Sequence, residues 1–248
     1  MNAELYALTH RGNPGDIAFY RDVCRGARRV LELGSGSGRM LRALASVKRT
    51  VLGLELDPEF LALAKRGLRE LPLPKRRSVR LLQGDMRDFQ LAERFERVLL
   101  PYNALFCLLT RSAALSCFRA ARRVLEPGGT LAFDVWNAQP FQRQAAASLS
   151  EDDAEPIVTL RHARRTWDVF EQSRVRRAQQ RLDVTYSYVP REGGTVIQIP
   201  IAQRYYLAAE ISDLLKRAGF TIEARFGDFS GARFSAYSPQ LIVLARAL

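Results

Sequence analysis

Hydrophobic and polar positions follow two alternating patterns along the first 139 residues. Short apolar runs such as RVLEL and TVLGLEL alternate with stretches whose apolar positions recur at helical spacing. Strands and helices that take turns in this way predict a parallel sheet covered by helices on both faces. The predicted strands lie at 28–33, 50–56, 78–85, 95–105 and 130–136.

Helix boundaries in this part are marked by caps and breakers. Asp57, Pro58 and Glu59 provide a cap, a first-turn proline and an early acid, which together predict a helix start. Pro127 and the glycines after it predict the end of the helix that begins near residue 112. A further amphipathic helix is predicted over 15–27.

From about residue 157 strand-like segments follow one another without helices, after an acidic, loop-like segment at 151–156. Such strands pair antiparallel, and Gly193-Gly194 supplies a turn before the last of them. We predict antiparallel strands at 166–176, 180–189 and 195–206. A helix with Gly219 as its C-terminal cap and two further strands, 221–227 and 240–248, close the chain.

Composition limits the possible classes of protein. The chain has 248 residues, 47% of them hydrophobic and 26% charged, which fits one globular α/β domain with an elaboration. Cys24, Cys107 and Cys117 are too few and too scattered for a disulfide framework or a zinc site. We find neither an apolar run long enough to span a membrane nor a signal-peptide pattern, so we expect a cytoplasmic protein.

The net charge of +12 has two interpretations. A basic chain can bind nucleic acid or another anionic partner. However, only four of its 38 basic residues are lysines, and many arginines with few lysines are typical of a GC-rich genome. We favour the second interpretation. The arginines of the predicted antiparallel segment, 161–181, fit a solvated face or a clamp for an anionic substrate group.

Three glycines at alternate positions, Gly34, Gly36 and Gly38, follow the first predicted strand and precede a helix. Backbone N–H groups and the positive helix N-terminus make such a turn a ligand-binding device. A dinucleotide site requires G-x-G-x-x-G, but the third glycine arrives one place early and Arg39 stands in its position. A phosphate-binding G-x-x-x-x-G-K-[ST] loop is also absent from the sequence.

Residues 30–38, VLELGSGSG, resemble the first motif of the class I S-adenosylmethionine-dependent methyltransferases, [VL]-L-[DE]-x-G-x-G-x-G. The resemblance continues through Glu55, Asp85 and the segment RRVLEPGGTLAFDVW, and it covers about 30–135 and 207–247. It implies an α/β, Rossmann-like seven-stranded mixed sheet with an antiparallel β insertion after the fifth strand. The methyltransferase domain would comprise 1–139 and 207–248, with a helical cover at 1–28. The insertion, 140–206, would be a substrate lid or an oligomerisation element.

The resemblance also implies S-adenosylmethionine as cofactor and S-adenosylhomocysteine as product. In this family the glycine turn binds the methionine part, an acid after the second strand holds the ribose hydroxyls, and an acid after the third accepts the adenine amino group. Two charge-assisted hydrogen bonds from a ribose diol suit a carboxylate. The implied cofactor contacts are Glu32, Gly34, Ser35, Gly36, Gly38, Glu55, Leu56, Asp85, Met86 and Leu100.

The methyl acceptor is read from the end of the fourth strand, L-L-P-Y-N at 99–103. Relatives that methylate exocyclic or amide nitrogens carry [DNS]-P-P-[YFW] there, and Leu99 and Leu100 do not fit it. The segment is more similar to that of small-molecule methyltransferases. The predicted acceptor site contains Tyr6, Tyr20, Tyr102 and Asn103, with Asp134, Trp136 and Asp228 as further candidates. Two alternatives remain open: Tyr20 and Tyr102 as packing residues, and Asn103 as a helix cap.

The prediction is therefore an S-adenosylmethionine-dependent methyltransferase of a small molecule, more at an amine nitrogen than at oxygen, by in-line transfer. We expect no metal, because His10 and His162 are the chain's two histidines and form no ligand set. We expect no membrane partner, and a monomer or homodimer. One alternative is a methyltransferase of RNA, DNA or protein that uses the basic surface. Another is a non-catalytic scaffold that binds the cofactor.

Overall fold

A computed structural model describes residues 2–143 and 155–248, so most of the acidic segment predicted at 151–156 lies outside the described residues. The strands are β1 Arg29–Leu33, β2 Thr50–Glu55, β3 Val79–Gln83, β4 Phe95–Leu100, β5 Leu125–Trp136, β6 Val158–His162, β7 Arg165–Arg176, β8 Arg181–Pro190, β9 Ile197–Arg204, β10 Phe220–Phe226 and β11 Gln240–Ala247. The helices are α1 Ala3–Thr9, α2 Asp16–Val23, α3 Arg39–Leu44, α4 Pro58–Leu68, α5 Leu73–Arg76, α6 Arg111–Val124, α7 Ala138–Arg143 and α8 Ala208–Arg217.

Seven strands form one mixed sheet in the order β10-β11-β5-β4-β1-β2-β3. β1 to β5 pair parallel, and β11 runs antiparallel to both of its neighbours. This confirms the predicted seven-stranded mixed sheet. Helices cover both faces, because successive residues of β1 are buried in two different clusters: Val30 against α2 and α3, and Leu31 in the cluster that contains α6 and α8.

A separate four-stranded antiparallel sheet, in the order β6-β7-β8-β9, follows the fifth strand of the main sheet. This confirms the predicted antiparallel segment and adds β6, which was not predicted as a separate strand. The sheet packs on α1 through a hydrophobic cluster of its own, which includes Leu5, Trp167 and Tyr188. Thr9 and Tyr188 also join the two by a side-chain hydrogen bond of 3.1 Å.

The helix predicted to end at Pro127 ends earlier, at Val124, and β5 begins at Leu125. Two physical causes act together. The residue before a proline is disfavoured in the helical region, which excludes Glu126 from the helix. Leu125 is also fully buried in the core, with an extended ψ of 144°. By contrast, the predicted start at Asp57 is confirmed, since the Asp57 side chain accepts a hydrogen bond from the Glu59 N–H.

In the described ranges, no helix is both long enough and apolar enough to cross a membrane.

Candidate active site

A cavity of about 580 Å³ lies at the carboxyl ends of the central strands. The strand order reverses at β1, with β2 on one side and β4 on the other. Open α/β sheets bind ligands at such a reversal, because the following loops diverge and leave a crevice. Residues of α1 and Ile201 of β9 also line the cavity, so the N-terminal helix and the antiparallel sheet both reach it.

The glycine-rich turn forms one wall. Gly34 and Gly36 have φ angles of +67° and +52°, a left-handed backbone that favours glycine. A Cβ added at Gly36 would meet nothing within 4 Å, so the turn presents bare backbone to the cavity. Gly38 lies behind this wall, because it caps α3 and a Cβ there would approach Ala64 at 3.1 Å. It does not line the cavity.

Glu55 ends β2 and faces the turn. Its Oε2 accepts a hydrogen bond from the Gly36 N–H at 2.7 Å. Its Oε1 accepts from the N–H groups of Leu56 and Asp57 at 2.9 and 3.0 Å. Three of about four acceptor positions of this carboxylate are therefore in use. A bidentate contact with a ribose diol requires Glu55 to exchange at least one of these backbone partners.

Glu32 is a buried acid on the cavity wall, and its Oε2 has no hydrogen-bond partner among the described residues. Burial raises its pKa well above the usual range, and Arg39 opposes the rise. An unpaired buried carboxylate is costly unless a cationic or hydrogen-bearing group meets it. An ammonium group of a ligand in the cavity would supply that partner.

Asp85 and Met86 follow β3 and line the same cavity, as does the exposed Leu56. Arg87 donates hydrogen bonds to both oxygens of Asp85, at 3.0 and 2.9 Å from its Nε, and so lowers the pKa of Asp85. A ligand amino group must therefore share Asp85 with Arg87. Leu100 is fully buried in the core and does not line the cavity.

A partly buried ion pair that was not predicted from the sequence lies beside the cavity, and its Arg39 lines the cavity. Two guanidinium nitrogens of Arg39 contact the Asp16 carboxylate at 2.8 and 2.6 Å. The side chains are 22% and 4% exposed, respectively. The pair joins the start of α3 to the start of α2. Both residues stand at helix starts, but nothing in either local sequence indicates that they meet.

An aromatic cluster surrounds His10, and its members Tyr6, His10 and Tyr102 line the cavity. The ring of His10 lies 4.1 Å from that of Tyr6 and 4.6 Å from that of Tyr186, centre to centre. The Tyr102 hydroxyl lies 3.5 Å from Nδ1 of His10. Burial raises the pKa of all three phenols, which therefore stay protonated near neutral pH. His10 and Tyr186 were not among the predicted site residues, although the four-residue spacing of Tyr6 and His10 places both on one helix face.

Tyr20 and Asn103, both predicted for the acceptor site, do not line the cavity. Tyr20 is fully buried and donates a 2.6 Å hydrogen bond to Oδ1 of Asp134. The same oxygen accepts the Tyr102 N–H at 2.9 Å. Asn103 has a left-handed backbone, φ +59°, and its Oδ1 accepts the Trp136 N–H at 2.7 Å. Tyr20, Asp134 and Asn103 therefore support the Tyr102 segment from outside the cavity.

The remaining candidates also lie outside the cavity lining. Trp136 packs among Phe106, Phe141 and Tyr205. Asp228 lies in the loop before β11, where its carboxylate accepts hydrogen bonds from Ser230 and Ala232. Neither side chain therefore reaches a ligand bound in the cavity.

The stability of the protein should depend on the titration of Asp134. Burial raises its pKa from 3.8 to about 6, so the folded protein binds this proton more tightly than the unfolded chain. The contribution is present below pH 3.8 and is lost as pH rises through about 6. The stability of wild type relative to Asp134→Asn should therefore fall by up to about 3 kcal/mol from pH 4 to pH 7. Urea unfolding of wild type and Asp134→Asn at both pH values measures this difference. Asp228→Asn, in an exposed turn, is the control, and wild type should show no such loss of stability relative to it.

Known methyltransferases resemble this chain in sequence and in structure. A family described as "Methyltransferase domain" matches residues 30–129. The chain is 26% identical to the putative methyltransferase YqeM of Bacillus subtilis over 219 residues, 88% of this chain and 83% of that protein. It is 31% identical over 175 residues to dTDP-3-amino-3,6-dideoxy-alpha-D-glucopyranose N,N-dimethyltransferase of Streptomyces fradiae, 66% of this chain and 65% of that one. The solved structure of the CcbJ methyltransferase from Streptomyces caelestis superposes with a TM-score of 0.80 at 29% identity, covering 96% and 98% of the two chains.

Proposed function

We propose that this chain is a class I S-adenosylmethionine-dependent methyltransferase and that it methylates an amine nitrogen of a small molecule. The observation that carries the proposal is the division of one cavity into two ends. The glycine turn and the carboxylates line one part, which we call the donor end, and Tyr6, His10 and Tyr102 line the other, which we call the acceptor end. One end suits the methyl donor and the other an acceptor molecule.

The donor end fits S-adenosylmethionine in shape and charge. The cofactor supplies a positively charged sulfonium whose methyl group is electrophilic. Glu32 would meet the ammonium group of its methionine part, which gives the unpaired Oε2 a partner. Glu55 would hold the ribose after it exchanges a backbone partner, and Asp85 with Met86 would contact the adenine. The bare backbone at Gly34 and Gly36 leaves room for the methionine part.

The acceptor end favours nitrogen over oxygen. An alcohol must lose its proton to a base before or during attack, whereas a neutral amine attacks with its own lone pair. The phenols of Tyr6, Tyr102 and Tyr186 remain protonated. Burial also lowers the pKa of His10 to about 4, which makes it a weak base. None of these groups activates an alcohol effectively.

The relatives support the same choice. The Streptomyces fradiae protein is by name an N,N-dimethyltransferase of an amino sugar nucleotide, and another relative is an N-terminal methyltransferase of cypemycin. A cavity volume of about 580 Å³ for donor and acceptor together supports a small acceptor. Enclosed positioning of two reactants is the main contribution an enzyme makes to an in-line transfer.

We further propose that the chain is organised as a methyltransferase domain, 1–139 and 207–248, with residues 140–206 as a substrate cover. Two contacts support this role. Ile201 of β9 lines the cavity, and the ring of Tyr186 in β8 meets the ring of His10. Of the first 28 residues, the predicted helical cover, α1 lines the cavity through Tyr6 and Ala7. The helix α2 packs on α3 instead and contributes no residue to the lining.

A panel of matched acceptors tests the proposal. Purified protein and labelled S-adenosylmethionine are incubated with dTDP-3-amino-3,6-dideoxyglucose and simpler amines, with the corresponding hydroxy compounds, and with RNA. We expect labelled methyl in one or more amines and none in the matched hydroxy compounds. Labelling of a hydroxy compound would contradict nitrogen as the acceptor, and labelling of RNA alone would favour a nucleic-acid substrate.

A further inference from the structure

We propose that His10 binds the methyl acceptor: its Nε2 lone pair accepts an N–H hydrogen bond from the amine and directs the amine's own lone pair toward the transferred methyl group. This inference rests on the proposed function and adds a residue to it. His10 would touch the substrate and would select amines that carry at least one N–H.

The position of His10 is fixed from several sides. It caps the C-terminus of α1, where its backbone N–H donates to the Tyr6 carbonyl at 2.9 Å. Its ring packs against the rings of Tyr6 of α1 and Tyr186 of β8, which also contact each other. A ring held by two others has little rotational freedom, so its nitrogens point in fixed directions.

The two ring nitrogens have different surroundings. Nδ1 lies within hydrogen-bond reach of the Tyr102 hydroxyl, at 3.5 Å. Nε2 is buried and has no partner among the described residues, although the side chain lines the cavity. A buried nitrogen without a partner carries a desolvation cost, which a ligand that completes its hydrogen bond removes.

The neutral ring has one N–H and one lone pair, and its neighbour sets which nitrogen holds which. If Nδ1 donates its proton to the Tyr102 oxygen, Nε2 is left as a buried acceptor without a partner. The other polar groups named at this end of the cavity, the three phenols, all carry a hydrogen. Among these named groups, the imidazole of His10 is the one that offers a lone pair on an atom without a hydrogen.

The chemical step then has a defined geometry. A primary or secondary amine gives one N–H to Nε2, and its lone pair forms the new bond to the methyl carbon. The carbon–sulfur bond breaks with its electron pair going to sulfur, and the ammonium product releases a proton to solvent. A tertiary amine has no N–H for Nε2, so methylation should stop at the tertiary amine.

Variants of both histidines test the inference, with the fastest amine of the panel as probe. His10→Phe keeps a ring without nitrogen, and His10→Gln restores an acceptor oxygen. His162→Gln is the matched control, because His162 lies on β6 and contacts Glu4 outside the cavity. We expect kcat/KM to fall about 100-fold or more in His10→Phe, to fall less in His10→Gln, and to stay within about twofold in His162→Gln. Affinity for S-adenosylhomocysteine should remain within about threefold in every variant, which shows that the fold and the donor end persist.

A second readout needs no turnover. The chain has two histidines, so nitrogen-15 labelling of histidine gives two sets of ring signals. The set that is missing in His162→Gln belongs to His162, and the other belongs to His10. With S-adenosylhomocysteine bound, we expect the proton of His10 on Nδ1. A proton on Nε2, or an unchanged kcat/KM in His10→Phe, would overturn the role of His10 while the proposed function stands. A wild-type protein that methylates no amine would instead overturn the proposed function, and this inference with it.

Discussion

Replacing Asp16 with alanine should lower the free energy of unfolding by about 3–5 kcal/mol. The substitution leaves the partly buried Arg39 guanidinium without the carboxylate that it contacts, and it also removes the acceptor of the Asn13 N–H. An uncompensated charge in a low-dielectric interior is far more costly than the intact pair is stabilising. Urea unfolding of wild type and variant at neutral pH measures the difference.

Two further variants identify burial as the cause. Asp22 lies on the same helix and contacts Arg25, but these side chains are 70% and 79% exposed, so Asp22→Ala should cost less than about 1 kcal/mol. The double variant Asp16→Leu with Arg39→Met removes both charges and should recover most of the lost stability. Equal losses of unfolding free energy in Asp16→Ala and Asp22→Ala would contradict this prediction, because the Asp16–Arg39 pair would then contribute no more than an exposed pair.

Replacing Glu55 with alanine should weaken binding of S-adenosylhomocysteine about 100-fold. Two charge-assisted hydrogen bonds to the ribose are worth about 3 kcal/mol together, and the carboxylate also holds the Gly36 N–H. Both effects act on the donor end of the cavity. Isothermal titration calorimetry measures the affinity directly.

Glu55→Gln separates the two effects, because the amide oxygen still accepts from the Gly36 N–H while the charge is lost. It should bind more tightly than Glu55→Ala and less tightly than wild type. Glu70→Ala, at an exposed position after α4, is the control and should bind as wild type does. If Glu55→Ala bound S-adenosylhomocysteine like the control, the ribose would lie elsewhere.

Features encoded in contiguous sequence were predictable. The strands of the main sheet follow from apolar runs, and the cap at Asp57 follows from three adjacent residues. The glycine turn was also predictable, because the left-handed φ angles at Gly34 and Gly36 are local backbone requirements. Such features depend on neighbours along the chain, which periodicity and turn chemistry describe.

Features that depend on which distant segments meet were not predictable. Asp16 and Arg39 pair across 23 positions, and Tyr20 reaches Asp134 across 114. The apolar spacing around Tyr20 fits a core residue as well as a site residue, and only the packing of α2 on β5 decides between them. His10 and Tyr186 meet because the antiparallel sheet packs on α1, a tertiary contact that no local pattern encodes.

The central claim is that the cavity beside the glycine turn holds S-adenosylmethionine. Calorimetric titration of the wild-type protein with S-adenosylhomocysteine, with NAD as the comparison ligand, tests it most directly. We predict one binding site for S-adenosylhomocysteine and no binding of NAD. Binding of NAD would assign the turn to dinucleotides, and binding of neither ligand would mean that the turn is structural and that the account of the donor end is wrong.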